Sequence, residues 1–172
     1  YDRRLEDIFA LQDDITLSVV GAIEPSLRDA EVERGKRKRP ESLDAYDLYM
    51  RASAAFTEPS GSNLRAALDF TQQAIARDPH FARALALRAA CIMHSVDSFG
   101  PDAIPEALRL AHAALATSSD DSEATSFAAM TIALLGGSIE TALTGSERAL
   151  TLNPNGFPAI MHSGWVQTAA GH

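Results

Sequence analysis

Apolar residues recur at three- and four-residue intervals through most of this chain, the spacing of one face of an α-helix. In the run ALDFTQQAIARDPHFARALALRAA, Ala67 and Ala74 lie seven apart, so two small side chains share a helical face. Asp78-Pro79 ends that helix, because proline has no N–H and disfavours helical geometry in the residue before it. A new apolar helix starts at Phe81. The landmarks then return. Ala67, Ala74, Ala84 and Ala89 recur 40 residues on as Ala107, Ala114, Ala124 and Ala129. They recur 35 residues further as Ala142, Ala149, Ala159 and Gly164, while Pro79 returns as Ser119 and then Pro154. One pair of offsets shared by five landmarks predicts stacked helical hairpins.

Taken in order, the pattern predicts helices over Leu43–Phe56, Leu64–Arg77, Phe81–His94, Pro105–Thr117, Ser122–Leu135, Ser138–Leu152 and Phe157–Ala170. Ser42 is placed to cap the first. The residues Thr57–Asn63 read as loop, and HSVDSFGPDAIP holds the excess of the 40-residue spacing. One extra residue falls near Gly136-Gly137.

Residues 1–42 do not fit the repeat. Leu5, Ile8, Leu11, Ile15, Val19 and Ile23 mark one face of an amphipathic helix ending near Glu24-Pro25. A second, charge-dense helix follows through SLRDAEVERGKRK and stops at Arg39-Pro40. The division is therefore 1–42, an N-terminal amphipathic helix and charged linker, and 43–172, an array of about three and a half hairpins. The fold class is all-α, an α-solenoid with an N-terminal helical extension. The first residue is Tyr1 and the last hairpin has only its first helix, so the expectation is a piece of a longer protein.

The runs ALDFTQQAIARDPHFARALALRAA and SERALTLNPNGFPAIMHSGWV resemble the tetratricopeptide repeat, over roughly residues 43–172. That repeat is normally about 34 residues long, so the 40-residue spacing and the serine at 119 depart from it. The run DRRLEDIFALQDDIT resembles a segment of bacterial signalling proteins in which an effector domain is joined to such repeats through a small TolB-like module. By that resemblance the effector is either a class III adenylate or guanylate cyclase or a winged-helix DNA-binding domain. The cyclase type is the first reading and the winged-helix regulator the alternative; the chain itself would be cytoplasmic.

Composition narrows the function. Hydrophobic residues make up 46% and aromatics 6%, which suits close helix packing through alanine. The net charge of −8 disfavours binding nucleic acid by bulk electrostatics. The one basic run, Arg34–Arg39, is flanked by Glu31, Glu33 and Glu41 and reads as a solvated linker. No apolar stretch reaches the roughly 18 residues of a membrane span. Cys91, the single cysteine, excludes an internal disulfide and sits where a small buried hydrophobe belongs.

Chemistry finds no foothold. No two histidines have the i, i+4 spacing of metal ligands on one helix face. Neither Asp13-Asp14 nor Asp120-Asp121 is a carboxylate dyad, because neighbours on a helix point about 100° apart. There is no phosphate loop and no nucleophile elbow. No catalytic, cofactor or metal site is expected.

What remains is a binding surface. The resemblance implies that the first helix of each hairpin lines a concave groove. Its inward positions here are Arg83, Ala86, Ala90 and Met93, then Glu123, Ser126, Met130 and Ala133, then Met161 and Trp165. Some members of the family grip a partner's terminal carboxylate with lysine and asparagine at such positions. This chain has alanine, serine, methionine and tryptophan there, so that clamp is not expected. The groove should instead be apolar and adaptable, a seat for a protein or peptide partner, unless these side chains pack between the hairpins. A homodimer through the N-terminal helix is a further expectation, since the stripe from Leu5 to Ile23 is wide enough to seek a cover.

Overall fold

The computed structural model describes residues 43–57, 60–118 and 120–171. The expected N-terminal helix, the basic run, the Ser42 cap and the turn at Ser119 all lie outside the described residues. Within them the chain is an all-α stack of hairpins. The main helices are α1 (Leu43–Thr57), α2 (Gly61–Arg77), α3 (Ala82–His94), α5 (Ile104–Thr117), α6 (Ser122–Leu134), α7 (Ile139–Leu152) and α8 (Phe157–Ala170). The short α4 (Val96–Phe99) and a 3₁₀ turn, Pro101–Ala103, join α3 to α5.

Local chemistry sets the boundaries. Ser60 Oγ accepts from the Asn63 N–H at 3.2 Å, so α2 starts at Gly61, three residues before the hydrophobic pattern begins. Asp121 Oδ1 accepts from the Ala124 N–H at 3.1 Å and Ser138 Oγ from the Thr141 N–H at 3.2 Å, opening α6 and α7. Pro105 stands in the first turn of α5, where its missing N–H costs nothing. The expected loop HSVDSFGPDAIP is instead largely helical turns. Gly100 breaks them at φ 77°, a left-handed conformation that glycine adopts without a Cβ penalty.

The recurring small residues explain the packing. Ala67, Ala74, Ala107, Ala114, Ala142 and Ala149 are all fully buried on the second helices α2, α5 and α7. On the first helices Ala84, Ala89, Ala124 and Ala129 are buried opposite them. At the α6–α7 crossing a Cβ built on Gly145 would stand 3.1 Å from the Ala129 Cβ, so the two backbones meet with almost nothing between them. Each second helix packs on its own first helix, and α3, α6 and α8 also pack directly on one another in sequence. Larger side chains fill the remaining space: Leu85, Leu110, Ile132 and Val166 are all at least nine-tenths buried. Each contributes about 1.5–3 kcal/mol relative to an exposed position.

Candidate protein-binding surface

The first helices α1, α3, α6 and α8 supply the surface that the repeat pattern marks as inward. The alanines on α3 let its neighbours approach closely. As a result, side chains from α1 and α6 meet across it, and two layers of contact join helices that are not adjacent in the chain.

One layer is polar. The Tyr49 hydroxyl donates to Glu123 Oε1 at 2.9 Å, although 74 residues separate them. Arg83 Nε donates to Asp121 Oδ2 at 2.7 Å, and its Nη1 lies 3.6 Å from Glu123 Oε2. Thus α1, α3 and the start of α6 share one network. Burial disfavours the Arg83 charge, but Asp121 and Glu123 outweigh it and hold the guanidinium above its usual pKa. Burial, then the Glu123 charge, pushes the Tyr49 phenol above its ordinary range, so it stays a neutral donor.

The second layer is aromatic. Phe56 of α1 meets His94 of α3 with centroids 5.4 Å apart and Phe127 of α6 at 5.9 Å. Phe127 in turn stands edge-on to His162 of α8 at 4.4 Å. The buried His162 places Nδ1 3.2 Å from Ser126 Oγ. Since the Ser126 hydroxyl donates to the Glu123 carbonyl, Nδ1–H is the donor of that contact. Burial, reinforced by His94, pulls the His162 pKa down to about 4.

These layers decide where the sequence-derived groove residues stand. Ala86, Ala90, Ser126 and Met130 are buried between the helices, beneath the side chains that cross from α1 to α6. Arg83 is held in the ion network and Met93 is half-buried. Met161 and Trp165 are exposed, at 42% and 53%, on α8. Glu123 is half-buried and pairs with Tyr49, and Ala133 is half-buried. Tyr49, Phe56, Phe127 and His162 were not singled out by pattern alone. One signal was available: Arg83 precedes Asp121 and Glu123 by 38 and 40 residues, about one repeat, which brings opposite charges onto neighbouring first helices.

Elsewhere, α2, α3 and the start of α5 enclose an open cleft of about 500 Å³, lined by Arg65, Leu68, Asp69, Arg88, Ile92 and Glu106 among others. Arg88 Nη1 donates there to the Leu68 carbonyl at 2.9 Å. Cys91 is fully buried, and burial pushes its thiol up to about 12, so it behaves as a small hydrophobe. Among the described residues no group of His, Cys, Asp and Glu side chains converges in a way that would hold a metal ion. None of the described helices is long and apolar enough to cross a membrane.

The geometry of paired helices in constant register has a counterpart among solved structures. The first TPR domain of human RPAP3, determined by NMR, superposes with a TM-score of 0.54, over 74% of this chain and 93% of that one, at 21% identity. The chain folds as a tetratricopeptide-repeat array. In sequence, the array is related to a protein described as "Putative adenylate cyclase 3" from Rhizobium meliloti (strain 1021), with 32% identity over 121 residues. That match takes in 68% of this chain but 21% of the relative, so the array corresponds to about a fifth of the longer protein. No protein-family profile matches the chain.

Proposed function

We propose that this array is the protein-recognition module of a bacterial signalling protein related to adenylate cyclase. Its partner is a protein or peptide seated on the first-helix face, with Arg83, Met93, Met161 and Trp165 as the reachable contacts. Ala86, Ala90, Ser126 and Met130 form the packed floor beneath. The observation that carries this reading is the face itself: first helices brought into one surface, with methionine and tryptophan exposed at its end. Methionine adapts to varied apolar partners and tryptophan anchors them. The relationship to the cyclase supports the signalling context. The division at residues 1–42 and 43–172, with a homodimer through the N-terminal stripe, belongs to the same proposal; its N-terminal part lies outside the described residues.

The chemistry of such a protein would then lie outside this array. Purified array incubated with ATP should yield neither cyclic nucleotide nor ADP above a heat-killed control. In the parent protein, deleting residues 43–171 should change how activity responds to its signal while leaving basal turnover in place. Turnover by the array alone, or a deletion with no effect on regulation, would overturn the reading.

A further inference from the structure

The last helix, α8, poses a question that the array answers about itself. It carries no charged residue, and it is apolar on all sides. One side, with Ala159, His162 and Val166, is buried on α6 and α7. The other exposes Phe157 at 72%, Met161 at 42% and Trp165 at 53%. A helix apolar all round belongs in an interior.

The repeat shows what covers this side. Phe157, Met161, Gly164 and Trp165 stand 35 residues after Ser122, Ser126, Ala129 and Met130 of α6. There, Ser122 Oγ donates to the Ala149 carbonyl of α7 at 2.8 Å. Ala129 is fully buried at the crossing with Gly145 of α7. Ser126 meets His162 of α8, and Met130 is 5% exposed. So the second helix of the same hairpin covers two of these positions, and the next first helix covers a third. On α8 the matching crossing point is Gly164, and a Cβ built there meets nothing within 4 Å.

We propose that the open face of α8 docks a helical hairpin from a partner protein, extending the stack by one layer. The first helix of that hairpin presents small residues seven apart and crosses at Gly164, as α7 crosses Ala129. Its second helix lies along Met161 and Trp165, as α8 lies along Ser126. A second folded copy of this array cannot supply the crossing helix. Its small-residue pairs, Ala67 and Ala74, Ala107 and Ala114, Ala142 and Ala149, are all fully buried within their own chain. The absence of charge on α8 fits the same occupant, whose contact face is small and apolar.

This inference rests on the reading of the array as a protein-interaction module and specifies the partner for one end of it. Trp165 is the only tryptophan, so its emission reports directly on the face. The probe is a synthetic polypeptide with the sequence of residues 138–171 carrying Trp165→Phe, titrated into the full chain. The expected result is a saturable blue shift of Trp165 emission. The same probe with Ala142→Glu and Ala149→Glu should give none. Gly164→Leu in the chain fills open space without touching its own neighbours, so its thermal melt should match wild type while probe affinity falls roughly tenfold or more. No shift with probe up to about 1 mM, or an equal shift with the glutamate probe, would overturn the proposal. So would emission that is already blue at every dilution, which means the chain covers its own face, or that turns blue with chain concentration alone, which means a second copy does. If docking fails while Met93 still contacts a partner, only this inference falls, not the interaction reading.

Discussion

His162 makes the array sensitive to mild acid. The imidazole is buried between Ser126 and Phe127, with the His94 ring as a second cation nearby, and its pKa is held at about 4. In the unfolded chain it titrates near 6.5. Between these values the unfolded state binds a proton that the folded state refuses, so the stabilising contribution is full above pH 6.5 and is lost as pH falls towards 4. The full shift corresponds to about 3 kcal/mol, of which about 2 kcal/mol disappears between pH 7 and pH 5. Solvent reaching α8 at the end of the stack makes these upper figures. For a chain of this size a 2 kcal/mol loss lowers the melting temperature by roughly 4–8 °C. The assay is a set of thermal melts from pH 7.5 to pH 4.5, followed by circular dichroism, for wild type and His162→Phe. Phenylalanine keeps the ring against Phe127, and Ser126 still donates to the Glu123 carbonyl, so no new orphan is made. The variant should lose the fall in melting temperature between pH 6.5 and 5 that wild type shows. If both fall equally, other groups carry the acid response and the account of His162 is wrong.

Three further outcomes follow from the packing. Ala114→Leu pushes three heavy atoms into a fully buried contact and should cost about 1–3 kcal/mol in denaturant titration. Ser146 Oγ is buried on α7 with no hydrogen-bond partner, so Ser146→Ala should raise stability by about 1 kcal/mol in the same assay. Tyr49→Phe strands the Glu123 contact at the centre of the network and should cost about 1–2 kcal/mol, with the loss reduced when Arg83→Met is already present, as a double-mutant cycle would show.

Much of the fold was legible because the repeat is written in small residues. The alanine offsets located every hairpin, and α8 matches its expected limits of Phe157 and Ala170. Boundaries set by a single side chain were harder. Ser60 starts α2 early by a hydroxyl bond that hydrophobic spacing does not record. The surface was legible only in outline. Sequence spacing identifies which residues share a helix face, but not how closely the facing helices approach. Here alanines on α3 allow Tyr49 and Phe56 to reach α6 across it, which puts Ala86, Ala90, Ser126 and Met130 under cover. His162 shows the same limit: its burial depends on the arrival of Phe127 and Ser126 from a neighbouring repeat.

The central claim is that the first-helix face meets a protein partner. Site-specific photo-crosslinking tests it most directly, with a benzoylphenylalanine placed at Met93 or, as a control, at the exposed Arg77 of α2, in cells expressing the parent protein. The account predicts discrete protein adducts from position 93 and none from position 77. Adducts from both positions alike, or from neither, would contradict it.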